Sequence, residues 1–348
     1  MSAVVEAPGA RVAESPAHRA SFGSLLRSEA HRFRSRRFIQ VLLILAVVGW
    51  VVATVIGLLN YGTPDDGDLA DAQARLDQIV AEQLMYRDQC LEDASIPDGT
   101  SPEEWCGPAP TADDFGGPEA FLDKAPFDFG EAGKDGALGV AALTAALAVA
   151  MGATWIGAEW SSRTIVALLF WVPRRLQVMG AKLAVLIGAA ALFGVLAQAA
   201  WLATAGVWEA AVGGPDPLPE DFWSELLQTQ GRGVLLVVLA AVLAFGLTNV
   251  VRNTGAALGI AFVYTAIVEN IVRALRPHWE PWLLTSNALG LVQDGGYTIT
   301  FWADGPIGPD GQPPEYYLGP LQSGLYLGAV AVVLASIGAV LFAKRDLH

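Results

Sequence analysis

The sequence predicts an all-α polytopic membrane protein with six transmembrane helices. Three observations predict it. Six apolar runs of membrane-spanning character interrupt the chain, and about 20 apolar residues in a helix cover a hydrocarbon core of about 30 Å. Only 16% of the 348 residues are charged and 53% are hydrophobic, where a soluble chain carries about 25% charged residues. The net charge of −14 is spread unevenly, with the acids in the loops of one side and most of the bases in those of the other.

Residues 1–21 are rich in Ala, Pro, Ser and Glu and read as a disordered cytoplasmic tail. In Phe22–Arg37 five arginines accompany Phe22, Leu25, Leu26 and Phe33 at helical spacing, the pattern of an interfacial helix at the membrane surface. Phe38–Leu59 is 22 residues without a charge. A secretory signal has an apolar core of only about 7–15 residues, so this run reads as a retained first span. Residues 60–135 follow as an acidic extracytoplasmic cap with 19 Asp and Glu against 4 Lys and Arg. Within it, Asp68–Asp93 has helical periodicity, and Pro97, Pro102, Pro108 and Pro110 make the remainder irregular.

Gly136–Ala158 is the second span, rich in small residues that let helices approach in lipid. Residues 159–182 form an inner loop. Leu183–Trp208 is the third span, with Trp201 and Trp208 placed like interfacial anchors. Gly233–Val251 is the fourth span, Arg252–Thr254 a short inner turn, and Gly255–Val268 opens the fifth. Residues 273–315 hold apolar stretches broken by Pro277, Pro281, Asn287 and Gly290, which read as interfacial or re-entrant helices. The sixth span lies within Tyr316–Ala343. Gly255/Gly259 and Gly324/Gly328 have the spacing of helix-packing pairs. With both termini cytoplasmic, 14 of the 21 Lys and Arg residues fall inside, as the positive-inside rule requires. This places the chain in the cell membrane as a multi-pass protein.

Few enzymatic signatures are present. The sequence holds no G-x-x-x-x-G-K-[ST], G-x-S-x-G or H-E-x-x-H, and none of its four histidines falls in a span. So acidic a chain is a poor partner for nucleic acid, and no bound metal or cofactor is expected. Glu269 is the one acid in or at the edge of a span, with Arg273 four residues later. That is the favourable order for an intramembrane ion pair, although an intramembrane acid is by default also a transport-site candidate. Cys90 and Cys106 share the cap and are expected to pair as a disulfide in an oxidising compartment. In the inner loop, Ser161 or Ser162 can cap a short helix that ends before Pro173. Glu159, Arg163, Arg174 and Arg175 then offer charge to the cytoplasm.

Glu159-Trp-Ser-Ser-Arg-Thr-Ile, Leu168-Leu169, Pro173-Arg174-Arg175 and Lys182 resemble the inner loop of ABC exporter permeases of the type-2 family. The basic helix at 22–37 and the ending Phe342-Ala-Lys-Arg-Asp346 resemble the same family, which usually has Gly where this chain has Arg163. The resemblance implies a permease domain over 22–348, paired with a second permease subunit as a homo- or heterodimer. It implies a cytoplasmic ATP-binding cassette subunit that binds ATP and Mg and touches Glu159, Arg163, Thr164, Arg174 and Arg175, so that hydrolysis lies on that subunit and no enzyme activity on this chain. Two other readings stand beside it: a secondary transporter using Glu269, and a non-transporting scaffold whose cap binds an outer partner.

Overall fold

A computed structural model describes residues 21–92, 101–162, 174–214, 217–301 and 313–344. The first helix, α1 (Phe22–Ser35), starts at Ser21, whose hydroxyl accepts from the Ser24 N–H, and ends at Arg36 in an extended conformation. That break turns the chain into α2 (Arg37–Asn60). Helix α1 lies across the bundle rather than along it. Leu25 packs on Val178 and Ala181, Glu29 reaches Lys182, Phe33 meets Trp155, and Arg36 reaches Thr154 and Glu159. About 16 Å of helix therefore stays at one level of its neighbours, the attitude of a surface helix.

The cap contains α3 (Asp66–Glu92) and the short α4 (Pro102–Cys106). Asp66 and Asp68 occupy the first turn of α3, where carboxylates oppose the positive end of the helix dipole. The Cys90–Cys106 disulfide joins the two helices. Arg87 donates to the Gly107 carbonyl, and Arg75 pairs with Asp123 at 2.7 Å. The cap returns to the bundle through Phe127, fully buried among Tyr61, Phe129 and Trp208, whose backbone bonds to Val212 and Gly214.

The spans that follow are longer than their apolar cores. Helix α5 runs Phe129–Ser161, α6 runs Arg175–Val212 and α7 runs Phe222–Val251. Arg252 turns the chain with φ 60°, and Asn253 caps α8 (Thr254–Val263) by accepting from the Ala256 N–H. A π-helical turn over Tyr264–Val268 joins α8 to α9 (Glu269–Leu275). A 3-10 turn over Pro277–Trp282 leads to α10 (Leu284–Val292), which folds back against the bundle. The last span is α11 (Pro320–Lys344). Six helical segments are long and apolar enough to cross a membrane, and the fold is that of a helical multi-pass membrane protein. Helix α7 is its axis: 56% of its apolar stretch is buried, against 11% in α2 and 11% in Thr254–Leu275. The spans alternate in direction, so α1 and the end of α11 share one end of the bundle and the cap occupies the other.

The helical expectation holds with one addition: β1 (Tyr297–Thr300) and β2 (Glu315–Leu318) pair as an antiparallel ribbon with Tyr297 opposite Leu318, and the sixth span begins at Pro320. Other expectations are corrected. The inner loop is shorter than 159–182, because α5 continues to Ser161 and α6 starts at Arg175. Ser161 and Ser162 both donate to the Ala158 carbonyl behind them, and the short helix expected after them lies outside the described residues. Trp201 and Trp208 are not interfacial anchors. Trp208 lies over Gly57 of α2 and donates to the Thr54 carbonyl, and Trp201 lies over Gly136 of α5 and donates to the Gly133 carbonyl. Any side chain at Gly57 or Gly136 would occupy the space of an indole. By contrast, a methyl group at Gly259 or Gly328 would meet nothing within 4 Å, whereas one at Gly324 would press on Leu291 at 3.3 Å, so of the spaced glycines Gly259 and Gly328 do not mediate packing within this chain.

Closing the loop between Cys90 and Cys106 is worth about 3 kcal/mol in loop-closure entropy. Replacing both by Ser should accelerate limited proteolysis within 66–106 several-fold and leave cleavage of the bundle unchanged. Equal cleavage rates in the two proteins would show that the cap is held without the disulfide.

Candidate functional site

The strongest concentration of buried charge lies at the α1 end of the bundle. Lys182, in the third turn of α6, has no exposed side-chain surface. Its ammonium is 2.7 Å from Glu29 of α1 and 2.7 Å from Glu159 of α5. Arg36 donates to the same oxygen of Glu159 at 2.8 Å and to the Thr154 carbonyl at 3.1 Å. Arg32 pairs with the other oxygen of Glu29 at 3.3 Å. The cluster thus sets three cations against two carboxylates. Trp155 compensates: Lys182 Nζ lies 4.8 Å and Arg36 Cζ 4.5 Å from its ring centroid, where the negative ring face attracts cations. The Trp155 indole N–H donates to the Lys182 carbonyl, and Phe33 meets the ring edge-on at 5.0 Å between centroids. Burial lowers the pKa of Arg36, and Glu159 and then Glu29 oppose that shift.

Each partner is placed by its helix. Glu29 faces inward because Leu25, one turn earlier, packs on α6. Glu159 lies one turn beyond Trp155 on α5, so both face α6. The arrangement offers no nucleophile or metal cage, and no group of three or more potential metal ligands exists among the described residues. It can fix α1, the end of α5 and the start of α6 as one unit. Leaving one buried charge of such a cluster unpaired typically costs about 3–5 kcal/mol.

The expected contact residues divide. Glu159 does not offer its charge outward, because it is buried and taken up by Lys182 and Arg36. Arg175 reaches across to α11, donating to the Ala343 carbonyl at 3.3 Å, where a cation complements the negative end of a helix. Arg174 is exposed. Arg163 and Thr164 lie outside the described residues. Sequence reasoning did not single out Glu29, Arg36 and Trp155 as partners of Lys182. One signal was available: Glu29 is the only acid in a helix of arginines, and such an acid at a membrane boundary needs a cation.

A second polar cluster lies at the cap end. Glu269 is fully buried and 3.4 Å from Arg273, the spacing expected of the intramembrane ion pair. Its larger task is to cap α10. One carboxylate oxygen accepts from the Leu284 and Thr285 N–H groups at 2.9 and 3.3 Å, and the other from the Thr285 hydroxyl. Arg273 also reaches Glu280 at 3.3 Å and Ser286 at 3.2 Å. Lys134 joins α5 to Glu225 of α7 at 2.8 Å and to Asp294 beyond α10 at 3.0 Å.

Lys182→Met should lower the unfolding free energy by about 3–5 kcal/mol, because two carboxylates lose their shared cation. Glu29→Gln should cost less, since Lys182 keeps Glu159. In a double-mutant cycle read by thermal melting in detergent the two losses should fail to add; simple additivity would mean that the groups do not act together. Comparison with known proteins adds no relative: no family matches the chain, and no similar curated protein or solved structure was found.

Proposed function

We propose that this chain is the permease subunit of an ABC exporter, driven by a separate ATP-binding subunit through the connection between α5 and α6. The observation that carries the reading is the clamp on that connection. Glu159 and Lys182 flank it on either side, pair with each other, and are tied to α1 through Glu29 and Arg36. A push delivered between them would move α1, α5 and α6 together rather than deform a loose loop. Arg174, exposed at the start of α6, is the described residue best placed to receive a soluble partner. On this reading the α1 end faces the cytoplasm and a second permease subunit completes the translocation path. ATP and Mg reside on the partner, and the membrane is the cell membrane. The lightly buried α2 and Thr254–Leu275 offer surface for that second subunit and for lipid. The secondary-transporter reading loses support, because the Glu269 carboxylate is committed to the backbone of α10 and to Arg273.

Two experiments test the proposal. A cysteine placed at Asp113 should react with an impermeant thiol reagent added to intact cells, and one at Arg174 should react only after permeabilisation; the reverse pattern overturns the topology. Arg174→Glu should weaken ATPase-subunit association or uncouple hydrolysis from transport while insertion stays normal. A desolvated pair across such an interface is worth about 2–5 kcal/mol, so association measured by co-purification should fall by at least tenfold. Arg175 is left intact because it holds α11. Wild-type association and coupling in Arg174→Glu would remove the partner contact from this stretch.

A further inference from the structure

Arg252, between α7 and α8, is the one residue other than glycine with a positive φ among the described residues. At φ 60° the Cβ of an L-residue crowds the following carbonyl oxygen, and such a conformation persists only where its surroundings impose it. The last turn of α5 is part of those surroundings. A methyl group at Gly157 would occupy the space of the Thr254 hydroxyl and press on the Thr248 methyl group at 3.0 Å, so α5 sits directly on the start of α8. Three residues on, on the same side of the helix, the Trp160 ring centroid lies 4.8 Å from the Arg252 guanidinium carbon, and its N–H donates to Asn249 at 3.4 Å. Glu159 points the other way, to Lys182.

The helix that starts there is lightly packed. Ala257 is the one buried residue of α8. Its outer end runs into the π-helical turn over Tyr264–Val268, a break in the regular bond ladder of the kind that kinks helices. Within that turn the Thr265 hydroxyl donates to the Ala261 carbonyl at 3.0 Å. Beyond it the chain is fixed again, because Glu269 accepts from the backbone of α10 and pairs with Arg273. About 15 Å of helix therefore lies between two irregular points. We propose that α8 is a lever, jointed at Arg252 and at Tyr264–Val268, and that Gly157 and Trp160 of α5 hold its inner end. Displacing the end of α5 swings α8 about the π-helical turn, while α9 and α10 stay in place. On the permease reading, the lever carries a push on the α5–α6 connection to an outward-facing helix. The lever belongs to this chain alone and stands whether or not the chain is a transporter.

The test uses the full-length protein in nanodiscs without any partner subunit, with nitroxide labels on introduced cysteines and distances read by pulsed electron paramagnetic resonance. One pair joins Gly259→Cys on α8 to Gly188→Cys on α6, both at positions where a methyl group would meet nothing within 4 Å. A second pair joins Ile271→Cys on α9, an exposed position, to the same reference. Trp160→Leu removes the ring beside Arg252, and Arg252→Gly removes the cation while still allowing the turn its positive φ. Each should raise the share of molecules with a displaced Gly259→Cys distance at least roughly threefold and leave the Ile271→Cys distance as it was. Trp160→Phe keeps an aromatic face and should match the unmodified protein. Arg252→Gly alone decides the matter where Trp160→Leu fails to insert. An unchanged Gly259→Cys distribution would show that α5 does not hold α8, and equal spreading of both pairs would show that no joint lies at Tyr264–Val268; either result overturns the lever.

Discussion

An ammonium with no exposed surface is stable only where anions and aromatic faces replace its water. Lys182 is such a group, and the α1 end of the bundle is arranged around it. The crosswise lie of α1 follows from it, because Glu29 within α1 and Arg36 at its end sit about two turns apart and reach the same cluster. The break between α1 and α2 falls at Arg36, whose guanidinium covers Trp155. The ends of α5 and α6 are fixed by Glu159 and Lys182 themselves. Removing the lysine would leave two carboxylates facing each other in a poorly hydrated place, so the cluster stands or fails as a unit.

Both ends of the bundle are held by ions and rings together. At the α1 end they interlock in one cluster. At the cap end they are spread out: ion pairs at Lys134 and Arg273 stand beside the rings around Phe127, the indole N–H of Trp208 bonded to α2, and the Trp50–Thr204 bond at 2.7 Å. Helix α2 depends on these few links and on α1, since 11% of its apolar stretch is buried. Regions with little burial open at low free energy, which makes α2, like Thr254–Leu275, a span suited to move. Helix α10 is the opposite case, short but pinned by a carboxylate at its start and packed through Leu291 and Val292 against the core.

Much of this architecture was legible in the sequence because it depends on local regularities. Apolar run length marked the spans, and i,i+4 spacing placed Glu269 beside Arg273. The boundaries were less legible. Arg175 and Lys182 read as loop residues because a charge ordinarily ends a span, and nothing local tells that Glu29 waits for Lys182 from 153 residues away. The β-ribbon escaped because each strand has four residues, too few for alternation to register. Trp201 and Trp208 were misplaced because composition cannot distinguish an indole facing headgroups from one facing a glycine on a neighbouring helix. The cap's small core is Ala72 and Leu76, while Leu69 on the same helix is exposed.

The separation between Glu29 and Lys182 also has a consequence for biogenesis. Ribosomes add about 5–20 residues per second, so the 153 residues between the two partners take roughly 8–30 s to synthesise. Throughout that interval α1 and α2 are already at the membrane while the carboxylate of Glu29 has only Arg32 nearby and Arg36 has neither Glu159 nor Trp155. The nascent chain therefore carries an unfinished polar surface at its first span, and emergence of the third span completes it. Commitment of the amino-terminal helix to its final place is a late event in synthesis, set by the distance along the messenger between two codons.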